Sequence, residues 1–422
     1  MRELTNWLSG RADPDSFPYF PVTAEFHRNG KHFVATELLA RLAGIRARLG
    51  VPVADAGPAR LLRDFLDVAL DKWDDRYDYR SYLGLTLLGL PCDDGDDAPG
   101  RDLATARRER DRLLVRLIAD ALAFESAAAV GDTELLPEQR PGPQTVAKRH
   151  RHGLRAVAPA LSRLGLAGAV EHPQPAAAVA ALHALAVADR SAEEERALRL
   201  SMLPVYVSHD EYLFIRVLQA YECTFAALAD ELRGAIADLT GGRGPAAAER
   251  LESARQRLVT AGPLFSMLAT MQAESFRTFR AYTEGASAIQ SRSYKAMESL
   301  CRTPEGDRLD SPAYRSVPEV RERVRAGRPC VDAAYTAAAR DGRLAGPERD
   351  LVRRRMREFA SAVLQWRRTH HRLAVRMLGA QPGTGYTEGT PYLAGVRAIP
   401  VFTAVADEPD PSAAEPTGGC PE

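Results

Sequence analysis

The chain has 422 residues, and its 56 Lys plus Arg balance its 56 Asp plus Glu, so the formal net charge is zero. This balance argues against a nucleic-acid partner and against an acidic membrane surface bound through bulk charge. No apolar run reaches membrane-spanning length, so we expect no membrane partner. Stretches rich in Ala, Leu, Arg and Glu are long and β-branched runs are scarce, which predicts an all-α protein.

The cysteines give no sign of a disulfide framework or a zinc site. They show neither a CxxC pair nor a Cys/His ligand spacing, and they lie at Cys92, Cys223, Cys301, Cys330 and Cys420. The N-terminal stretch "MRELTNWLSGRADPD" lacks the apolar core of a secretion signal. Together these features predict reduced thiols and a cytoplasmic location.

Residues 1 to 195 are predicted to form a mostly helical region, whose role the sequence does not reveal. Amphipathic patterns predict helices near residues 35 to 49 and 103 to 130, with a further helical block between them. Proline-rich breaks at "LPEQRPGPQ" and "EHPQPAAA" interrupt the helical stretches that follow. Residues 196 to 402 are predicted to form a second, helical domain, and the acidic, proline-rich tail from 403 to 422 is predicted to be disordered.

The second domain has two long helices with a clear apolar face. The first begins near residue 213 and places an apolar stripe on one side, formed by Phe214, Val217, Leu218, Tyr221, Phe225, Leu228 and Leu232. The second runs from about residue 347 to 379 and repeats the pattern, with Val352, Met356, Phe359, Val363, Trp366, His370 and Met377. A loop-rich insert is predicted between them, at residues 301 to 320.

His370 lies on the apolar stripe of the second long helix, one turn after Trp366. A histidine in such a position is more often a satisfied core residue than a ligand. A buried imidazole can nevertheless bind haem iron through one of its ring nitrogens. The neighbouring His371 points about a third of a turn away and is the weaker candidate. The spacing alone leaves both interpretations of His370 open.

Two further segments have residues suited to binding an amino acid. In "ESFRTFRAY", Phe276 and Arg280 are four residues apart and share one helix face. An aromatic ring and a guanidinium side by side can hold the ring and the carboxylate of an aromatic amino acid, although an arginine lying over a core phenylalanine is commoner. The glycine-rich "GAQPGTGYTEGTPYL" is either a helix cap or a loop that closes over a small polar ligand.

Three blocks, in the same order along the chain, resemble the tryptophan 2,3-dioxygenase superfamily of haem-dependent aromatic oxygenases. "HDEYLFIRVLQAYECTF" is similar to the family's His-Asp-Glu-x-Leu-Phe-Ile…Gln-Ala-Tyr-Glu segment. "FRTFRAYTEGASAIQSRSYK" is similar to its Phe-Arg…Ala-Ser-Gly-Phe-Gln-Ser…Phe-Arg segment. "WRRTHHRLAVRMLGAQPGTG" is similar to its Trp-Arg-x-x-His…Arg-Met-Ile-Gly…Gly-Thr-Gly segment. The resemblance covers roughly residues 198 to 400 and leaves residues 1 to 195 unexplained.

The resemblance implies a helical bundle around haem and a role for each matching residue. His370 takes the place of the proximal haem-iron ligand, with Trp366 packed one turn before it. The substrate-binding positions fall on Arg280 for the carboxylate, Thr384 for the amino-acid group, Phe276 and Phe214 for the ring, and Ser287 near the haem edge. Lys295 replaces an arginine. Some relatives attach haem through a His-x-x-x-Cys thioether, but Ala374 stands at that cysteine position, which implies non-covalent haem b and O2 as cofactors.

Two departures from the family pattern concern the substrate. Leu218 stands where relatives have a distal histidine that meets the substrate's indole N–H, and leucine can neither accept that hydrogen bond nor act as a base. An apolar residue there would suit a substrate with an extra methyl or halogen, or one without the N–H. The family's glycine-rich loop is here "GTGYTEG", in which Tyr386 and Glu388 either recognise a different substrate group or pack against the N-terminal region.

The resemblance therefore implies an oxygenase of L-tryptophan or a substituted tryptophan, which cleaves the C2–C3 bond to an N-formylkynurenine-type product. A haem-dependent hydroxylase of an aromatic amino acid in specialised metabolism is the alternative, and a non-catalytic haem sensor or a haem-free helical scaffold are others. Since iron and oxygen perform the difficult step, the loss of a histidine at Leu218 does not exclude dioxygenation. The resemblance also implies a homo-oligomer, a tetramer or a dimer.

Overall fold

The computed structural model describes residues 1–49, 57–90, 102–379 and 389–405. Within these ranges the chain is helical, and its only extended pairing is an isolated bridge between Glu138 and Ser208. The predicted all-α class is thereby confirmed.

The N-terminal half consists of nine α-helices within the described ranges, interrupted by short 3-10 turns. They are α1 Arg2–Ser9, α2 Tyr19–Asn29, α3 Thr36–Arg48, α4 Pro58–Ala69, α5 Tyr79–Tyr82, α6 Leu103–Val130, α7 Pro143–Leu164, α8 Pro175–Ala188 and α9 Ala192–Leu200.

The second half is built around two long helices and a series of shorter ones. They are α10 His209–Thr240, α11 Gly244–Thr260, α12 Gly262–Leu268, α13 Ala273–Arg280, α14 Arg292–Cys301, α15 Gly306–Leu309, α16 Pro312–Arg315, α17 Pro318–Arg325, α18 Val331–Arg340, α19 Gly346–Leu378 and α20 Thr390–Arg397.

The long helices agree closely with the sequence patterns, whereas the insert before α18 does not. We predicted a loop-rich segment at residues 301 to 320, and it contains the short helices α15, α16 and the start of α17. Pro312 and Pro318 occupy the first helical turn of α16 and α17, where the missing N–H costs no intrahelical bond. The prolines that suggested a loop therefore begin helices.

Helix α10 lies at the centre of the molecule and is buried along most of its length. It packs against α6, α11, α14 and α18, and its apolar side chains belong to the largest hydrophobic cluster. Its first turn is fixed by a buried ion network: the Arg149 guanidinium bonds Asp210 of α10 at 2.5 Å and Glu125 of α6 at 2.6 Å, and all three side chains are fully buried.

The predicted boundary near residue 195 does not interrupt the packing. Buried residues of α6, α7 and α8 share one hydrophobic cluster with α10, α11 and α19, while α1 to α4 form a smaller cluster around Phe17, Phe26 and Phe65. The division into two domains stays a prediction. Most of the predicted disordered tail, residues 406–422, lies outside the described ranges.

None of the helices in the described ranges combines the length and the apolar character that crossing a bilayer requires.

Candidate active site

A large cavity opens between α10, α13, α14, α19 and α20, with a further wall from α5. The space that the centre of a water molecule can reach inside it is about 240 Å³, whereas a single water needs only roughly 10–15 Å³ on this measure. Most of the lining is aromatic or aliphatic. Such a concave, largely apolar site with a few polar groups is typical of a ligand pocket.

One wall of the cavity presents His370 from α19. Trp366, one turn earlier, has its ring centre 5.1 Å from the imidazole, and the Phe265 ring, which also contacts Trp366 at 5.5 Å, stacks on the imidazole at 6.2 Å. Burial, and secondarily the nearby His371, lowers the pKa of His370 to about 4. Its imidazole has no hydrogen bond to another described residue. His370 therefore offers a neutral ring nitrogen at physiological pH, and His371 does not line the cavity.

The wall formed by α10 and α13 is aromatic. The rings of Phe214, Phe276 and Phe279 form a triad with centres 5.3–5.6 Å apart. Leu218 lies one turn after Phe214 and also faces the cavity. Arg280 ends α13 and lines the same space, and burial lowers the pKa of its guanidinium. An apolar ring slot with a cation at its end can accept an aromatic amino acid.

Ser287 begins the rim segment that leads from α13 to α14. Its side chain caps the short turn Ala288–Gln290, and the Gln290 amide oxygen accepts a hydrogen bond from the Ser287 N–H at 3.2 Å. The same oxygen accepts the backbone N–H of Tyr79 at 2.9 Å. The rim is therefore held in place by a residue about 200 positions earlier in the chain.

Two tyrosines that the sequence reasoning missed, Tyr79 and Tyr82, come from the N-terminal region and line the cavity. Tyr79 lies 4% and Tyr82 4% exposed, and the Tyr82 hydroxyl donates to Glu211 at 3.2 Å. Nearby, the Lys72 ammonium donates to the Tyr282 carbonyl at 2.8 Å. Tyr79 and Tyr82 thus form part of the site's wall, which their local sequence pattern gave no means of predicting.

The end of the cavity near α14 and α20 is cationic. Lys295 and Arg367 both line it and are almost fully buried. They share one carboxylate, Glu298, which also bonds Arg308 at 3.1 Å. Burial alone would raise the pKa of Glu298, but the three cations lower it to about 2. Burial lowers the pKa of Lys295 to about 8. Three cations on one carboxylate leave this end with an excess of positive charge.

Glu222 is the one carboxylate among the described residues that line the cavity. It lies on α10 one turn after Leu218 and is 1% exposed. Burial raises the pKa of its carboxyl, and hydrogen bonds from Ser291, Ser293 and Tyr79 oppose that rise. Glu222 interrupts an apolar stripe, because Leu218, Tyr221, Glu222 and Phe225 follow the helical spacing i, i+3, i+4 and i+7. This carboxyl within an apolar helix face was the feature of the sequence that could have identified Glu222 as a cavity residue.

The predicted site residues lie together as far as the structure describes them. One cavity is lined by His370, Trp366, Arg280, Phe276, Phe214, Ser287 and Leu218. The predicted loop residues Thr384, Tyr386 and Glu388 lie outside the described ranges. No cluster of three or more His, Cys, Asp and Glu side chains suited to a metal ion occurs within those ranges, and a haem iron needs only one such ligand from the protein.

The curated proteins that the chain resembles here share one name. No protein-family model matches the chain. It is similar to the tryptophan 2,3-dioxygenase of Anaeromyxobacter dehalogenans, at 27% identity over 223 residues, which is 46% of this chain and 84% of that protein. The tryptophan 2,3-dioxygenase of Pseudomonas aeruginosa is 28% identical over 230 residues, 46% of this chain and 78% of its own length. That of Burkholderia ambifaria is 26% identical over 234 residues, 47% of this chain and 75% of its own length.

Proposed function

We propose, because the chain is a divergent member of the tryptophan 2,3-dioxygenase superfamily, that it is a haem-dependent oxygenase of L-tryptophan or a substituted tryptophan. The observation that supports this most directly is one cavity lined by both His370 and Arg280. A haem ligand alone would fit a sensor as well. An arginine in the same cavity, suited to bind an amino-acid carboxylate, favours an enzyme, since a haem sensor has no use for it.

The residues around the cavity fit a haem group. His370 is a neutral imidazole with no competing hydrogen bond among the described residues, which is the state that ligates iron. The aromatic rings of Trp366 and Phe265 pack beside it. The excess positive charge at Lys295 and Arg367 matches the carboxylates that haem b bears. We therefore propose that His370 would hold the haem iron and that Lys295 and Arg367 would hold the haem carboxylates.

The chain's own residues would bind and orient the amino acid. Arg280 would pair with the substrate carboxylate, and the triad around Phe214 and Phe276 would hold the ring against the haem pocket. The apolar lining excludes water, which strengthens every charged contact inside. Ferrous haem supplies the oxygen activation when it is bound. The product of C2–C3 cleavage would be of the N-formylkynurenine type.

A single-oxygen insertion, giving a hydroxylated product or an oxindole, is the second candidate. Leu218 favours it, because this apolar side chain lines the cavity and the sequence resemblance aligns it with a histidine of the related enzymes. Homo-oligomerisation, which the resemblance implies, stays a prediction for light scattering to test.

The proposal is tested first by reconstitution. Purified protein titrated with haemin should give a Soret band at one haem per chain, His370→Ala should lose it, and His371→Ala should keep it. A wild-type protein without a Soret band would contradict both oxygenase candidates. Mass spectrometry of products from tryptophan, its methylated analogues and tyrosine under labelled O2 then separates the two, since a dioxygenase inserts two labelled atoms and a monooxygenase one.

A further inference from the structure

Helix α7 is strongly basic, and its 22 residues include neither Asp nor Glu. Two of its arginines are neutralised by neighbouring helices: Arg149 bonds the two buried carboxylates described above, and Arg163 pairs with Asp111 of α6 at 2.8 Å. The other lysine and arginine side chains of α7 are exposed. The proposed function gives these exposed cations no role.

The exposed cations and one histidine form a basic stripe along α7, consisting of Lys148, Arg151, His152 and Arg155. Their spacing is i, i+3, i+4 and i+7, so they share one face over about 10 Å of helix. Within the described ranges, none of the four pairs with a carboxylate. Burial lowers the pKa of His152, and the positive charges of the other three lower it further. The basic stripe is therefore a patch of uncompensated charge on a chain whose formal net charge is zero.

The basic stripe borders a groove that lies beside the cavity. Lys148 and His152 line this groove from α7, and Arg376 lines it from α19. Of the described residues that line the groove, none is acidic. Met271 lines both the groove and the cavity that contains His370. The positive surface and the cavity therefore have a wall in common.

Arg376 extends the positive surface along the helix that bears His370. It lies six residues after His370 on α19, a rise of about 9 Å along the helix axis. Its side chain is exposed and, as far as the structure describes the chain, has no carboxylate partner. A partner held by the basic stripe and Arg376 would thus lie close to the haem ligand.

The proposed function requires electrons from outside the chain. Since O2 binds ferrous haem, a ferric protein must first gain one electron, and a single-oxygen insertion consumes two electrons per turnover because the second oxygen atom leaves as water. Protein electron carriers use small, short-lived contacts, and opposite charges on the two surfaces speed their encounter. A nucleic acid fits less well, because a chain of zero net charge lacks the basic excess of such binders.

We propose that the basic stripe and Arg376 form the docking site of an acidic one-electron carrier protein, with a flavin or an iron–sulfur cluster, which reduces the haem on His370. The inference rests on the proposed function and goes beyond it by naming a class of protein partner. In each encounter the carrier loses one electron and ferric haem is reduced to ferrous. One encounter would prime a dioxygenase, and two would supply a single-oxygen insertion.

The first experiment measures binding of an acidic plant-type [2Fe–2S] ferredoxin by calorimetry, to the full chain with and without haemin. Binding should weaken about tenfold or more between roughly 20 and 200 mM salt, because opposite charges hold the complex together. The double variant Arg151→Glu, Arg155→Glu should weaken it by about tenfold or more at low salt. Arg151→Lys with Arg155→Lys keeps both charges and should bind like wild type.

The second experiment follows reduction of the haemin-loaded protein by reduced ferredoxin under CO, with the ferrous–CO Soret band as the signal. The double variant Arg151→Glu, Arg155→Glu should be reduced about tenfold more slowly at low salt. Arg41→Glu with Arg48→Glu changes the net charge by the same amount on α3, where both arginines are exposed and neither lines the cavity. This matched control should be reduced at about the wild-type rate.

Several results would overturn the inference. If wild type and the Glu variant of the basic stripe bind ferredoxin equally and are reduced equally fast, the inference is wrong, whereas bound haem and tryptophan would leave the proposed function standing. If the Glu variant instead changes only self-association in light scattering, the stripe joins copies of this chain. If it abolishes only binding to double-stranded DNA, the partner is a nucleic acid. A wild type that binds no haemin contradicts the proposed function and the inference together.

Discussion

Trp366 and His370 lie one turn apart on α19, with ring centres 5.1 Å apart and planes inclined by 37°. Their packing shields the imidazole from water, and burial lowers the pKa of His370 to about 4 from an ordinary value of 6.5. The unfolded chain therefore binds a proton between these two values that the folded chain does not. Since stability rises with pH wherever the unfolded state binds more protons, the contribution of His370 increases from pH 4 to pH 6.5.

This predicts a specific pH dependence for the haem-free protein. Between pH 7 and pH 4.5, wild type should lose about 2–3 kcal/mol of unfolding free energy that His370→Leu does not lose. Urea unfolding at both pH values measures the difference, with His371→Leu as the neighbouring control. Equal pH dependence in wild type and His370→Leu would show that the imidazole is not shielded.

Arg280→Ala should weaken binding of tryptophan about 10- to 100-fold, because it removes a charge-assisted contact worth roughly 1.5–3 kcal/mol. The haem content should not change. Arg277 lies on the same helix, is exposed and does not line the cavity, so Arg277→Ala is the control. Titration with tryptophan, followed by the Soret shift, gives the dissociation constants of both variants. Equal affinities would show that Arg280 does not bind the substrate carboxylate.

Lys295→Met should lower the affinity for haemin about tenfold, since one of the cations facing the cavity is lost. Lys295→Arg should retain the affinity, because it restores the charge. Haemin dimethyl ester, whose propionates are neutral, should bind wild type and Lys295→Met alike. If Lys295→Met instead lost affinity for both porphyrins equally, the cause would be a packing defect around Lys295.

Leu218→His should increase the preference for tryptophan over 3-benzothienyl-L-alanine, in which sulfur replaces the ring N–H, by up to about tenfold, as one neutral hydrogen bond contributes roughly 1 kcal/mol. Dissociation constants read from the Soret shift of the ferric holoprotein measure this preference. No change would mean that the side chain at position 218 does not touch the ring.

Arg149→Leu should destabilise the fold by about 3–5 kcal/mol, because it leaves the carboxylates of Glu125 and Asp210 buried without their cation. Arg151 is on the same helix but exposed, and Arg151→Leu should cost less than about 0.5 kcal/mol. Urea unfolding monitored by circular dichroism compares them. A loss below about 1 kcal/mol in Arg149→Leu would show that the network is dispensable.

The elements with strong local signals were predictable from the sequence. Helix α6 begins at Leu103 because the Asp102 side chain caps its first turn, and it ends where Gly131 adopts a left-handed conformation. The apolar stripe of α19 likewise predicted that this segment is a helix and where the helix begins and ends. Capping and periodicity depend on residues that are neighbours in the sequence, so they can be recognised without knowledge of the tertiary structure.

The composition of the cavity could be predicted only in part. The three sequence blocks placed His370, Arg280 and Phe214 in one family pattern, and the structure brings them to one cavity. Tyr79 and Tyr82 were not predictable, since they reach the site through tertiary contacts with residues more than a hundred positions away. Glu222 was within one of the three sequence blocks, yet its place in the cavity wall depends on tertiary packing rather than on local pattern.

The hydrogen bond from Tyr79 to Gln290 has a consequence for how the protein matures in the cell. Synthesis proceeds from the N-terminus, so α5 emerges early, while His370 emerges only near the end of the described chain. A nascent polypeptide that lacks α19 has the aromatic wall but no imidazole to face it. The binding chamber therefore exists only after α19 has left the ribosome, so any group that His370 binds would be acquired after that point.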